Sequence, residues 1–254
     1  MIRRTLILLL MLLALPLQAV SEQTVENLGS SEAREVIVRL QKLLRSDTNI
    51  ARYTMTVKTP DWTRSITMDS WDDRPGKQFF IRVLAPKKDR GVSYLKQGNN
   101  LWMYMPKLER DIRIPPSMML SSWMGSDFTN DDLVKSSSVI DDYTHKLINR
   151  DGKLLTIESI PKEDAPVVWG KLVHVVHSDG IPISEVFYDE DGEKVRTLEF
   201  SDVREVAGRT IPTSWVMLPA DEPGKSTELR IDSIEFDPPI ADTVFTRANL
   251  KRSR

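Results

Sequence analysis

Along most of this chain apolar and polar side chains alternate with a period of two. In Ala51-Arg52-Tyr53-Thr54-Met55-Thr56-Val57-Lys58 the odd positions are apolar and the even ones polar, the pattern of an antiparallel strand with one buried face. Ile66 and Met68 share a face of a second run, and Phe79, Ile81 and Val83 share a face of a third, Gln78–Leu84. Further runs predict strands at Val92–Lys96, Leu101–Met105, Arg110–Ile114, Tyr143–Ile148, Leu154–Ile160, Leu172–Val176, Ile183–Tyr188, Val195–Val203, Ile211–Leu218 and Leu229–Phe236. Gly98-Asn99-Asn100, Asp151-Gly152, Asp179-Gly180, Asp191-Gly192 and Gly208 stand between runs. All supply residues that tolerate positive φ, so consecutive strands are expected to join as hairpins.

One segment has a different period. Ala33, Val36, Leu40, Leu43 and Leu44 recur at spacings of three and four, which predicts an amphipathic helix. Ser30-Ser31 are placed to cap its start, Glu32 and Glu35 fall in the first turn, and it ends near Ser46-Asp47. With no helix of crossover length between strands, a parallel sheet is excluded. An antiparallel sheet of this many strands must curl, close or split. The expected class is mostly β with a few helices: a strongly curved antiparallel sheet, its concave face covered by the N-terminal helix and by short lid helices between Pro116 and Lys135. An outer-membrane barrel fits poorly, because the runs are short, 28% of the residues are charged and no aromatic girdles bracket an apolar band.

The alternation breaks down in Leu101–Leu133. Five of the ten methionines fall there, Met103, Met105, Met118, Met119 and Met124, beside Trp102, Tyr104, Leu120, Trp123 and Phe128. Unbranched thioethers fill irregular space and suit variable apolar partners. Leu101–Ile114 reads as two adjacent strands, Pro115–Met124 as a flap over the mouth of the sheet, and Gly125–Leu133 as the turn and helix cap that hinge it. The strand Leu101–Met105 is apolar on both faces, one for outer packing and one for a cavity. The candidate lining residues are Tyr53, Met55, Val57, Ile66, Met68, Phe79, Ile81, Trp102, Tyr104, Met118, Met119, Leu120, Trp123, Met124 and Phe128, around contents that are themselves apolar.

The first residues assign a compartment. Arg3-Arg4, the apolar run Leu6–Leu15, Pro16 and a small-residue exit at Ala19 predict a cleaved signal peptide over residues 1–19. The run is shorter than the about 20 residues of a membrane span; an uncleaved signal anchor is the alternative. No linker or repeat divides residues 20–254, so one domain is expected. Removing Arg3 and Arg4 from the 35 basic residues leaves 33 against 37 acidic ones, and no basic patch argues for nucleic acid. The absence of cysteine excludes disulfides, a thiol nucleophile, cysteine metal sites and lipid attachment through an N-terminal cysteine. A periplasmic protein of a Gram-negative bacterium is expected.

Candidate chemistry is sparse. His174-x-x-His177 lies in a predicted strand, where an odd offset sends the two side chains to opposite faces. Gly125-Ser126-Asp127 lacks the setting of a nucleophile elbow. Asp127, Asn130, Asp131 and Asp132 lack a calcium-loop spacing, and Thr129 or Asn130 capping a short helix accounts for them. No catalytic residue, metal or cofactor is expected.

Trp102-x-Tyr104-x-Pro106, Arg110, Ile114 and Met124-Gly125-Ser126-Asp127-Phe128-Thr129 with Asp132-Leu133 resemble the LolA-like periplasmic carriers, within them the branch of outer-membrane lipoprotein-sorting proteins. The resemblance covers nearly the whole chain after residue 19. It implies an incomplete β-barrel with helices over its mouth and a cavity that shields acyl chains of a lipid or lipoprotein between inner and outer membrane. It also implies a monomer, an inner-membrane transporter partner of the RND or ABC type, an outer-membrane acceptor, and an early-strand arginine that holds the lid, for which Arg52 and Arg64 are the candidates. The alternative is an accessory or regulatory subunit of an RND-type transporter that carries nothing.

Overall fold

The computed structural model describes residues 22–135 and 139–252; the predicted signal peptide lies outside the described residues. The chain opens with α1 (Glu22–Arg45), then β1 (Thr48–Lys58), β2 (Thr63–Asp73), β3 (Gln78–Ala85), β4 (Ser93–Gln97), β5 (Asn100–Met105) and β6 (Arg110–Arg113). Two short helices, α2 (Asn130–Lys135) and α3 (Val139–Asp142), precede β7 (Tyr143–Asp151), β8 (Leu154–Pro161), β9 (Lys171–His177), β10 (Pro182–Tyr188) and β11 (Lys194–Val206). β12 (Arg209–Pro219), β13 (Ser226–Phe236) and the single turn α4 (Arg247–Leu250) complete it. Every strand overlaps a predicted run; most alternate because one face meets a core and the other solvent, whereas β4 is buried on both faces and β6 has no buried residue.

The strands form one 13-stranded sheet in the order β6-β5-β4-β3-β2-β1-β13-β12-β11-β10-β9-β8-β7. One connection departs from the expected hairpins. β6 and β7 follow each other in sequence but occupy opposite edges, so the chain between them, described over residues 114–135 and 139–142, passes from one edge to the other. The sheet is curved and left open between those edges. It is joined at its centre by the first and last strands, with Asn49 opposite Phe236 and Lys58 opposite Ser226.

α1 lies in one half of the concave face, packing Ala33, Val36, Ile37, Leu40 and Leu44 onto Leu155, Ile157, Leu172, Leu198 and Met217. Residues 114–135 of the crossing, the lid, fill the other half, with Trp123 and Val134 on Met55, Ile66, Met68, Phe79, Ile81 and Val83, whereas Val139 of α3 joins the α1 half. α1 starts at Glu22, so Ser30 and Ser31 are interior residues and not its cap. Residues 22–28 are mostly good helix formers, and the one glycine that follows, Gly29, costs only about 1 kcal/mol inside a helix that tertiary packing holds. The helix stops where Ser46 takes φ +60° and its N–H donates to the Lys42 carbonyl at 3.0 Å, a left-handed C-terminal turn. Gly180, in the β9–β10 turn, takes φ +97° and lies so close to α1 that a Cβ would meet the Arg39 Cβ at 3.4 Å; a side chain there would push the helix off the sheet.

Candidate functional site

Between α1 and the lid the concave face encloses a cavity of about 280 Å³, close to the lower end of the roughly 300–1,000 Å³ typical of small-molecule sites. Leu40 and Leu44 of α1 form one wall, Tyr53, Met68, Phe79 and Ile81 of β1–β3 another, and Trp123, Phe128 and Leu133 of the lid a third. Leu172, Phe187, Leu198, Phe200, Trp215, Met217 and Leu229 from β9–β13 close the circle. Alternation along eight strands turns these side chains inward together. Edge-to-face contacts hold the aromatic ones, Trp169 on Phe187 at 5.3 Å, Phe200 on Trp215 at 5.8 Å and Tyr94 on Trp123 at 5.7 Å between centroids.

Of the predicted lining residues, the structure brings Tyr53, Met68, Phe79, Ile81, Trp123 and Phe128 to the cavity. Met55, Val57 and Ile66 are fully buried, Met55 and Ile66 within the core that supports it. Met119 and Met124 pack on that core from the lid. Met118 and Leu120 are exposed, at 47% and 59%, so the Pro115–Ser121 loop runs over the outside and the stretch from Trp123 to Val134 covers the cavity. Within the expected flap Pro115–Met124, only Met119, Trp123 and Met124 turn inward; Gly125–Leu133 forms the expected turn and helix cap and also covers the cavity through Phe128 and Leu133. Trp102 and Tyr104 lie on the convex face, where they join Phe80 and Leu95 beneath Phe245 and Leu250 of the C-terminal segment. A strand apolar on both faces does not tell which face is inner, and here Leu101 and Met103 are the ones turned inward.

The lid is fastened by charge-assisted bonds. Ser126 Oγ donates to the Trp123 carbonyl at 2.6 Å and accepts from the Phe128 N–H at 3.2 Å, which folds the Gly-Ser-Asp-Phe motif into a reversal with Met124 at φ +55° and Gly125 at φ +75°. Asp127 accepts from Thr227 Oγ1 of β13 at 2.6 Å and from Lys225 Nζ at 3.1 Å. Thr129 and Asp132 cap α2 reciprocally: the Asp132 N–H donates to Thr129 Oγ1 at 3.2 Å and the Thr129 N–H to Asp132 Oδ2 at 2.7 Å. Arg196 of β11 then grips both motifs. It donates to Asp132 Oδ2 at 2.8 Å, to Asp132 Oδ1 and to the Asp127 carbonyl at 3.1 Å, with its guanidinium between the rings of Trp169 and Phe187 at 4.5 and 4.4 Å. Of the two expected arginines, Arg64 reaches the lid backbone at Met124 O, 3.4 Å, while pairing with Asp89 at 2.7 Å; Arg52 pairs with Asp69 away from the lid. No sequence pattern marks Arg196, although its buried side chain shares the register that turns Leu198 and Phe200 inward.

Polar groups interrupt the apolar wall at two places. Beneath the C-terminal end of α1, Arg45 Nε donates to Asp72 Oδ2 at 2.9 Å and Asn49 Nδ2 to the Arg45 carbonyl at 2.9 Å. On the opposite wall stands Glu185 of β10, directly across from His174 of β9. Burial pushes the Glu185 carboxyl up to about 7, while Arg196 partly offsets that shift. His174 is held down to about 3 and His145 to about 4, again chiefly by burial, so the imidazoles are neutral and the 3.8 Å approach of His174 Nδ1 to Glu185 is not an ion pair near neutral pH. Ser159 Oγ links the two rings, 2.8 Å from His145 Nδ1 and 3.0 Å from His174 Nε2. His177 lies on the other face of β9 beside Asp179 at 2.9 Å. Among the described residues no group of three or more His, Cys, Asp or Glu is arranged to hold a metal ion, and no helix is long and apolar enough to cross a membrane.

An open, strongly curved antiparallel sheet with a helix and a lid over its hollow side is the LolA-like architecture. A DUF1329 family protein from Desulfovibrio piger superposes with a TM-score of 0.76 at 21% identity, over 87% of this chain and 99% of that one. A domain described as an outer membrane lipoprotein-sorting protein from Vibrio parahaemolyticus gives 0.74 at 22% identity, over 89% and 99%. A LolA superfamily protein from Nitrosomonas europaea gives 0.72 at 19% identity, over 85% and 98%. No curated protein matches the chain. Residues 76–252 match the model of a family described as "uncharacterized protein", and the chain belongs to that family.

Proposed function

We propose that this protein is a periplasmic carrier that shields acyl chains of a lipid or lipoprotein during transfer between inner and outer membrane. The observation that carries this reading is the apolar cavity closed by a lid whose fastenings are polar. Burying about ten methylenes is worth roughly 8 kcal/mol at about 0.8 each, enough to hold an acyl chain out of water. The Arg196–Asp132 and Lys225–Asp127 contacts fasten the lid and not the strand ladders, so the lid can release while the sheet stays hydrogen-bonded, and the apolar surface it uncovers is what cargo would cover. Export through a signal peptide at residues 1–19, a transporter on the donor side and an acceptor at the outer membrane belong to the same proposal, supported by the lipoprotein-sorting neighbour. Native mass spectrometry after gentle purification, combined with displacement of a fluorescent fatty acid, tests it. Bound lipid and probe displacement are expected, both lost in Trp123→Asp; a protein that carries no lipid and binds no probe overturns it.

Leu108, Ile112, Met118 and Leu120, all 40% exposed or more, favour a second reading. They lie within residues 108–120, on the β6 edge and the loop leaving it, and suit docking on an inner-membrane transporter by a subunit that carries nothing. Crosslinking to the transporter that persists unchanged in Trp123→Asp, with no lipid in the wild type, would select this reading.

A further inference from the structure

The cavity wall holds one carboxyl whose surroundings do not account for it. Arg45 answers Asp72, and Arg196 answers Asp132. Glu185 has no such partner: its nearest basic nitrogen is His174 Nδ1 at 3.8 Å, outside hydrogen-bond range. The other ring nitrogen of His174 is engaged by Ser159. Tyr143 directs its hydroxyl to the Trp169 carbonyl at 3.3 Å, and Arg196, whose charge acts on Glu185, spends its two terminal nitrogens on Asp132 and the Asp127 carbonyl. Among the described residues no hydrogen bond reaches a Glu185 oxygen. About a fifth of the side chain is accessible, at 21%, and Glu185 is one of the residues that line the cavity. Both carboxyl oxygens therefore offer acceptor capacity to whatever fills the space between Leu172, Phe187 and Leu198. Those oxygens are accessible as the cavity stands; once an apolar body fills the space and excludes water, an acceptor left without a donor becomes costly, and a donor on the cargo avoids that cost.

Resting on the carrier reading, we infer that the cargo carries a hydrogen-bond donor, a hydroxyl or an amine, beside its apolar body, and that Glu185 receives it. The two arginines near the cavity are already engaged by aspartates, so a cargo presenting a carboxylate at this point meets a like charge without a free cation. The cavity then selects by polarity as well as by apolar volume. A site built to bond a polar group discriminates strongly against a ligand that lacks it, because its own group is otherwise stranded.

Competition against a bound fluorescent apolar probe, at mildly alkaline pH with the full chain, tests this with a long-chain alcohol, amine and fatty acid of equal length. In the wild type the alcohol and the amine compete better than the acid. Glu185→Leu is expected to weaken the alcohol by about tenfold, the scale of one hydrogen bond to a charged acceptor, and to tighten the acid. Glu185→Gln, isosteric and uncharged, narrows the alcohol-to-acid ratio through a gain by the acid. These shifts of opposite sign are what a role in packing alone does not produce. Equal weakening of all three competitors, or an unchanged order of preference in both variants, overturns the inference. Failure of every competitor and of the probe itself to bind the wild type removes the carrier reading instead, so the two failures are distinguishable.

Discussion

Arg196 concentrates in one side chain what holds the lid. Its fork matches the Asp132 carboxylate, its edge reaches the Asp127 carbonyl, and two aromatic faces shield it, leaving 5% of the side chain exposed. Arg196→Leu leaves Asp132 partly buried with only its own helix cap for company, and such removals cost about 3–5 kcal/mol. The expected loss is near the low end, since lid opening lets Asp132 reach water. Lysine does not restore the fork, so Arg196→Lys should fall close to Arg196→Leu. Hydrogen exchange checks this: residues 123–135 should exchange faster in both variants while the β1–β13 ladder stays protected. Glu185 and the histidines give a second test at this scale. The folded chain keeps His174 and His145 neutral down to about 3 and 4, whereas the unfolded chain protonates them near the ordinary 6.5, so stability is lost as pH falls below about 6.5. Glu185 acts in the opposite sense: folded, it keeps its proton up to about 7, and stability is lost as pH rises from the ordinary carboxylate range through 7. Glu185→Gln should therefore stabilise at alkaline pH, relative to its effect in acid, by on the order of 2 kcal/mol. Thermal melts across that range decide it, and an equal effect at both ends would refute it.

At the scale of elements, α2 has six residues and is far too short to persist by propensity alone. Its reciprocal cap and Arg196 supply what length does not. Thr129→Ala removes the hydroxyl side of that cap and should cost about 1 kcal/mol, visible as a lower denaturant midpoint together with faster exchange of Leu133 and Val134. The same scale shows what could be read from residue order. Strands were legible because most have a wet and a dry face, and α1 was legible by its stripe, though not its start. The lid was legible as an apolar interruption, but not in its orientation: Met118 and Leu120 are as apolar as Trp123, and contacts from α2 fix their loop, from Asn130 Nδ2 to the Met118 and Ser121 carbonyls at 3.0 and 3.3 Å and from the Asp131 N–H to the Met119 carbonyl at 2.8 Å. Arg196 was illegible because its partners lie 64 and 69 residues away. Trp102 and Tyr104 point outward because a second cover, Phe245 and Leu250, arrives from the other end of the chain.

That second cover gives the molecule a core on the face away from the cavity, beside the two larger cores that α1 and the lid build on the concave face. On the convex side, Phe80, Leu95 and Tyr104 are buried under Phe245 and Leu250, and polar contacts seal the seam: Ser93 Oγ to the Leu250 carbonyl at 2.9 Å, Gln97 Nε2 to the Phe245 carbonyl at 2.9 Å and Arg82 to the Asn249 carbonyl at 2.6 Å. On the concave side the space is left partly empty. A chain ending after Asp237 keeps β13, the β1–β13 junction and every lining residue of the cavity, but strips this clamp. Fully burying each of Phe245 and Leu250 is worth about 1.5–3 kcal/mol, so the truncation should cost about 3–6 kcal/mol, much of the 5–15 kcal/mol that holds a typical domain together. Chemical denaturation should show the unfolding free energy falling by that amount and the midpoint falling with it, while a fluorescent apolar probe still binds the folded fraction with near wild-type affinity. Loss of binding in step with stability would mean that the two faces are coupled, and an unchanged midpoint would mean that the C-terminal segment is not a clamp.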